Sequence, residues 1–461
     1  MGNVTDYAGL SYWHSSLPDA WSVQQRLDGD LDVDVAIVGG GYTGLWTAYY
    51  LLRERPDLRV AVLERHVVGF GASGRNGGWA SAIFPASLRC MARNSSREDA
   101  RAMQFAMNAT VQEMADVIAA EGIDCDWAYN GYVSLARNAA QVHHGKGDIA
   151  TWRSWDFGDE QIRWLEPDEA TAMVAATNVL GGTFTPHCAV VHPAKLVTGL
   201  GRAVRAKGAQ IYEDTNVTAI APGVVTTTRG MVRAKHIIRA TEGYTASLPG
   251  LRRSLVPMYS LMVATEQLTP EQLASLGMSE RRSFTDKRQL RIYGQLTADN
   301  RIAFGGRGAP YHFASRIEPE FDLDARVHDM LEHILVDLFP GLAGIGFTHR
   351  WGGALGIPRD WYPSANYDAA TGIGAAGGYV GDGVATSNLA GRTLADYVLG
   401  RSSALTRLPW AGRTSKHWEP EPLRWLGVNA VTQLFALADR REARTGHEFK
   451  PASMFWKAIG H

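Results

Sequence analysis

The pattern of apolar and polar positions first becomes regular at residue 32. Asp32-Val33-Asp34-Val35-Ala36-Ile37-Val38 is rich in β-branched residues and ends in glycine, which predicts a strand entering an interior. Tyr42 to Arg55 reads as a helix, stopped by Pro56-Asp57, and Arg59 to Glu64 reads as a second strand. Together they form a strand-helix-strand unit of about 33 residues, a βαβ crossover. The uncharged run Val35 to Leu52 imitates a membrane span, but glycines fill its centre and charges flank it, so a soluble strand, turn and helix is expected.

Two styles of segment alternate after this unit. Glu98 to Glu121 has helical spacing, whereas Gly131 to Leu135, Met258 to Thr265, Leu290 to Tyr293 and Arg301 to Phe304 read as strands of a second, antiparallel sheet. Between them the first style resumes, with a helix at Leu196 to Lys207 and strands at Ala209 to Tyr212 and His236 to Thr241. Gly383 to Leu399 and Pro422 to Arg440 read as helices, the latter in a surface tail. The expected class is α/β with an α+β second domain. Its boundaries are an irregular arm over 1–30, pinned by Tyr12, Trp13 and Trp21; one domain from 31–90, 190–255 and 345–405; a substrate domain from 91–189 and 256–344; and a helical tail over 406–461.

Composition narrows the function. Lys plus Arg number 46 against 47 acids, a net charge of −1, so no global positive field attracts nucleic acid or anionic lipid. Cys90, Cys125 and Cys188 are too widely spaced for a CxxC motif or a disulfide framework, which fits a reducing, cytoplasmic setting. No secretory signal is visible, and Asp6 stands where N-myristoylation of Gly2 would want Ser or Thr. Forty-nine glycines in 461 residues is about 11 per cent against a roughly 7 per cent average, so where they cluster matters.

Gly39, Gly41 and Gly44 spell GxGxxG directly after the first strand and at the start of the first helix. Gly39 permits the tight turn, Gly41 admits a pyrophosphate to the backbone, and Gly44 lets helix and strand pack closely. Glu64 ends the second strand 20 residues beyond Gly44, where an acid accepts hydrogen bonds from ribose hydroxyls and repels a 2'-phosphate. Five residues later, Gly69-Phe70-Gly71-Ala72-Ser73-Gly74-Arg75-Asn76-Gly77-Gly78 suits a flat ligand lying on backbone. It is not a nucleophile elbow, because Arg75 occupies the last glycine position of GxSxG. Gly381 and Gly383 open the last long helix, whose free N–H groups and dipole would favour negative charge on a reduced flavin. Gly372, Gly374 and Gly377 also spell GxGxxG, but no helix follows directly, so no nicotinamide site is counted.

These motifs resemble those of the D-amino acid oxidase superfamily of FAD-dependent amine oxidoreductases, which includes glycine and sarcosine oxidases. Ala240-Thr241-Glu242-Gly243-Tyr244, Trp351-Gly352-Gly353 and Gly377 to Val384 extend the likeness, which runs from about Asp32 to Leu399. It implies a Rossmann-like FAD domain of discontinuous segments and a substrate domain covering the flavin. The implied FAD contacts are Gly39, Gly41, Tyr42, Thr43, Gly44, Glu64, Arg65, Gly71, Ala72, Ser73, Arg75, Asn76, Gly77, Gly78, Val217, Thr241, Gly243, Gly378, Tyr379, Gly381, Asp382, Gly383 and Val384. With a single dinucleotide fingerprint, electrons are expected from the organic substrate: an amine gives hydride to flavin N5, the imine hydrolyses, and O2 becomes H2O2. Tyr259, Tyr293 and Trp351 are candidate substrate walls, together with Tyr379, and Arg307 is a candidate carboxylate holder.

The chain also departs from the family pattern. Leu355-Gly356-Ile357-Pro358 lacks the cysteine that tethers FAD in sarcosine-oxidase-like members, so noncovalent FAD is expected. Asp382 replaces a histidine common between the helix-start glycines, and no oxygen-activating lysine is identified. A dehydrogenase passing electrons to a quinone or flavoprotein, and a flavin-bearing scaffold without turnover, stay open as alternatives. His187, Cys188 and His192 lie in a proline-flanked connector and are expected to be structural, with no metal. Oligomeric state is not legible.

Overall fold

The computed structural model describes residues 6–459, so Met1 and Gly2 lie outside the described residues. The first sheet runs in the order Ser364–Asp368, Ile373–Gly377, Gly230–Arg239, Leu31–Val38, Val60–Leu63, Gln210–Tyr212. Along this path all neighbours are parallel except the first pair, and the antiparallel strands Val217–Ala221 and Val224–Thr227 join the sheet at Gly230–Arg239. The carboxyl ends of its central strands therefore meet at one edge, at Val38, Leu63 and Arg239. Ligands of open parallel sheets bind outside such an edge. Val35, Ile37, Val60 and Val62 face the helices Tyr42–Glu54 and Gly383–Val398 in one core that contains Trp46, fully buried.

The second sheet has eight strands in the order Phe347–Ile357, Val256–Thr265, Ile302–Gly306, Ile292–Leu296, Ser283–Asp286, Tyr132–Leu135, Gly182–Thr185, Arg163–Leu165. The helix Ala325–Leu338 packs Leu331 and Leu335 against it, beside Phe284 and Phe304.

Two segments sit differently from the expected boundaries. The strand Phe347–Ile357 pairs with Val256–Thr265 along its whole length, from Val256 opposite Ile357 to Thr265 opposite Phe347, so it belongs to the second sheet and not to the segment beginning at 345. A side chain at Gly352 would clash with Leu261 of the partner strand, so this glycine allows close packing in the sheet. The helix Arg97–Ala120, expected within the substrate domain, buries Ala100, Met103, Met107, Val111 and Met114 in the core of the first sheet. That stripe has the spacing of one helix face, and its complement is the Trp46 layer.

The N-terminal arm contains a short helix, Tyr12–Ser15. Trp13 is 1% exposed and donates from its indole to the Asn76 carbonyl at 2.9 Å, and Tyr12 and Trp21 are buried with it beside Met262 and Trp351. The arm thus packs where the two sheets meet. The tail contains the helices Leu423–Thr445 and Lys450–Ile459. Among the described residues, no helix is long and apolar enough to cross a membrane.

Candidate active site

A cleft with about 1230 Å³ of empty space, part of it open to solvent, runs along the carboxyl edge of the first sheet. One end is formed by Glu64, Arg65, Thr215, Asn216 and Val217, and the middle by Gly39, Gly41, Gly71, Ala72 and Ser73. The far end is formed by Ala354, Leu355, Gly381, Gly383, Val384 and Ser387.

The first glycine motif is shaped by sterics. Gly39 has φ +112°, where an L side chain is strained, and a Cβ there would press on the Ala240 carbonyl. A Cβ on Gly44 would overlap the Gly39 carbonyl oxygen, so only glycine lets the Tyr42–Glu54 helix sit this close to its strand. Tyr42 N donates to Ser73 Oγ at 2.9 Å, which ties this helix to the second glycine run. Glu64 accepts from Gly40 N at 2.7 Å and from His66 N at 2.9 Å, so its carboxylate is aimed along the cleft wall. Burial pushes its pKa up, against the lowering by these amides.

Further along, Tyr379 and Glu242 join distant segments. Tyr379 OH lies 2.8 Å from Thr43 Oγ1. Glu242, passed over in the sequence as part of a glycine motif, accepts from Gly356 N at 2.6 Å and from Gly378 N and Tyr379 N at 3.0 Å each. It staples the end of the Gly230–Arg239 strand to both segments that form the far end of the cleft. Gly378, at φ +74°, serves this staple and does not line the cleft.

Seventeen of the expected nucleotide contacts line the cleft: Gly39, Gly41, Tyr42, Thr43, Glu64, Arg65, Gly71, Ala72, Ser73, Asn76, Val217, Thr241, Gly243, Tyr379, Gly381, Gly383 and Val384. Gly44, Arg75, Gly77, Gly78, Gly378 and Asp382 do not. Arg75 is buried and points away, pairing with Asp322 at 2.6 Å and donating to Tyr244 OH at 3.2 Å. Gly77 and Gly78 pack on the second sheet, where Tyr293 abuts the first and Gln295 Nε2 donates to both carbonyls, at 2.8 and 2.7 Å.

The candidate substrate residues divide in two. Trp351 is a core residue, 1% exposed, whose indole donates to the Arg75 carbonyl at 2.9 Å. Tyr259 is buried edge-on to His312 and Phe321, near Asp322 and Arg75. Neither lines the cleft. Arg307 and Tyr293 do not line it either, but Arg307 lies directly behind its far end: its guanidinium is 3.3 Å from where a Cβ on Gly381 would be and donates to the Val380 carbonyl. Tyr293 shares that region, with its hydroxyl 2.7 Å from Ser260 Oγ and its ring parallel to Trp79 at 6.2 Å. Trp79 in turn tilts against Tyr132 at 5.1 Å.

Asp382 completes this group. Burial raises its carboxyl to about 6, opposed by the positive charges of Arg307 and Arg291. Its side chain does not cap the helix it precedes. Sequence reading missed Trp79, Tyr132 and Arg291 as its companions. Trp79, directly after the second glycine run, was the one with a local signal. Among the described residues, no group of three or more His, Cys, Asp or Glu is placed to hold a metal, and His192 caps the helix Pro193–Ala206 through Lys195 N at 3.2 Å.

Two helix N-termini without side-chain caps from their own N-cap residues, Gly41 and Asp382, thus open onto one elongated cleft with the acid Glu64 at its opposite end from Gly381. Free amides in the middle suit a diphosphate, the acid suits ribose hydroxyls, and the second helix start suits a ring that gains negative charge. The donors present fit FAD. Residues 34–397 match the family model DAO, FAD dependent oxidoreductase.

The chain belongs to the DAO family. It is therefore an FAD-dependent oxidoreductase. It is 30% identical over 412 residues to gamma-glutamylputrescine oxidoreductase of Escherichia coli strain K12, covering 87% of this chain and 92% of that protein. It is 24% identical over 384 residues to the sarcosine oxidase subunit beta of Rhodobacter capsulatus, covering 78% and 83%. Among solved structures, glycine oxidase from Geobacillus kaustophilus superposes with a TM-score of 0.70 at 23% identity, covering 83% of this chain and 99% of that one. The DAO fold thus accounts for both sheets, and the family match ends before the C-terminal tail begins.

Proposed function

We propose that the protein oxidises a primary or secondary amine, an amino acid or polyamine derivative, at the C–H bond beside nitrogen. FAD in the cleft would supply the hydride acceptor, N5, for a reaction whose imine product hydrolyses and whose electrons pass to O2 to give H2O2. The observation that carries this reading is the meeting of Arg307 and Asp382 at Gly381, where the second helix start closes the cleft.

Each residue there has a task set by its chemistry. Arg307 Nη holds a substrate carboxylate, Asp382 Oδ takes a proton from the incoming ammonium, and Trp79, Tyr132 and Tyr293 form an aromatic wall that excludes water from the neutral amine. The amides of Gly41 and Thr43 bind the diphosphate and Glu64 the ribose. No cysteine tethers FAD, because Cys90, Cys125 and Cys188 are all buried and none lines the cleft, and we take the cofactor to be noncovalent. The relatives name the first compounds to try, gamma-glutamylputrescine and sarcosine.

The test is anaerobic addition of these amines, polyamines and D-amino acids to the yellow protein. A substrate bleaches the visible flavin band, and air restores it with one H2O2 per amine consumed. Reduced protein that persists in air for minutes would move the reading to a dehydrogenase serving a quinone or flavoprotein. No bleaching by any member of the panel would reject amine oxidation.

A further inference from the structure

We propose that the C-terminal tail, which lies beyond the family match, holds Arg307 and Arg291 in place and thereby sets how tightly a substrate carboxylate is bound. This rests on the reading of Arg307 as the carboxylate holder.

The tail reaches that region at three points. Asp439, on the helix Leu423–Thr445, accepts from Gln289 N at 2.6 Å and Leu290 N at 2.9 Å, fixing the backbone that leads into Arg291. The Arg291 carbonyl in turn accepts from Arg307 N at 2.9 Å. Trp456, on the helix Lys450–Ile459, donates to Gln289 Oε1 at 3.1 Å and meets Trp361 edge-on at 5.5 Å. The Arg307 guanidinium lies over that same Trp361 ring, 5.5 Å from its centroid. Asn429 exchanges two hydrogen bonds with the Tyr311 backbone, at 3.0 and 3.1 Å, just beyond Arg307.

Backbone strain marks the same place. Trp361 has φ +55° and Val380 φ +57°, a left-handed conformation that is costly for a bulky or β-branched residue and persists only where packing over-determines it. Trp361 carries the ring under Arg307, and Val380 carries the carbonyl that Arg307 grips. Val380 and Trp361 belong to one apolar cluster with the tail residues Trp418 and Val428. A tail that only covered surface would have no reason to meet the support of one arginine from both sides. Asp439 and Trp456 are thus positioning residues, acting through Arg307 and Arg291.

Propanoate serves as a probe that needs no knowledge of the substrate, with propanamide as its uncharged control. Its dissociation constant is read from the shift of the flavin band in the full-length, FAD-loaded enzyme. Asp439→Asn and Trp456→Ala are each expected to weaken propanoate about tenfold and to leave propanamide within about twofold, while Trp456→Phe retains parental affinity. In an Arg307→Ala background the tail substitutions are expected to add nothing, since coupled residues are not additive. If Arg307→Ala weakens propanoate but both tail variants, flavin-loaded, bind it like the parent, the inference is overturned and the reading of Arg307 stands. If Arg307→Ala itself binds propanoate like the parent, both fall together.

Discussion

Thr43 and Tyr379 are 336 positions apart in sequence, and their hydroxyl oxygens meet at 2.8 Å inside the cleft wall. The bond joins the first turn of the helix Tyr42–Glu54 to the segment that leads into the helix Gly383–Val398, so the two N-termini facing the cofactor are fixed to each other. Both side chains are buried. Tyr379→Phe leaves Thr43 Oγ1 without this partner and is expected to cost about 1 kcal/mol of stability, read as a lower urea midpoint at unchanged slope.

The close approach at Gly44 is absolute, because the clash of an added Cβ is with backbone, not with a side chain that can turn away. Gly44→Ala should displace the Tyr42–Glu54 helix from its strand, destabilise the fold by about 3 kcal/mol and release FAD. Gly147, a helical glycine with nothing near its missing Cβ, is the control. Gly147→Ala should leave both properties intact, or stabilise slightly through helix propensity.

Arg75 and Asp322 form an ion pair that links the second glycine run to the turn Pro319–Asp322, with side chains 3% and 19% exposed. Removing one partner strands a buried charge. Arg75→Met is expected to cost about 3–5 kcal/mol in chemical denaturation, and the double substitution with Asp322→Leu to recover part of that loss. Equal losses for the single and double variants would deny the coupling.

Asp382 gives the account a pH signature. Its folded-state carboxyl titrates near 6 against an ordinary 3.8, raised by burial and opposed by Arg307 and Arg291. The folded protein therefore keeps this proton to a higher pH than the unfolded chain does, so its contribution to stability is fully present below about 4 and is lost as pH rises through about 6. Asp439, raised to about 6 by burial, acts in the same direction. The rate of flavin reduction by an amine should rise through the same interval as Asp382 becomes able to accept the proton. Asp382→Asn should flatten that rise and lower the rate about a hundredfold at neutral pH, measured by anaerobic rapid mixing.

The nucleotide half of the site was legible because its signal is local. Strand, glycine turn, helix and acid lie within Asp32 to Glu64, and each fixes the next by sterics or charge. The second half was legible only in part, because its members come from separate elements. Arg307, Tyr293 and Asp382 were named singly, but Arg291 joins them only when two strands pair, and Glu242 gains meaning only when three segments deliver amides to one carboxylate. Aromatics are the hardest to read from sequence: Trp351 and Tyr259 are buried away from Gly381, whereas Trp79 and Tyr132 stand beside Tyr293, near Asp382 and Arg291, and none of the five lines the cleft itself. The Phe347–Ile357 strand was placed with the 345–405 segment because its membership of the second sheet shows only when it pairs with Val256–Thr265.

Cofactor retention tests the central claim most directly. Purified protein should be yellow, and denaturation should release about one FAD per chain into the soluble fraction. Glu64→Ala should bind FAD at least about tenfold more weakly, because a charged acceptor is lost from the ribose hydroxyls, while its affinity for FMN, which lacks the adenosine, should match that of the parent. Colourless, folded protein that refuses added FAD, or a Glu64→Ala variant that binds FAD like the parent, would contradict the account.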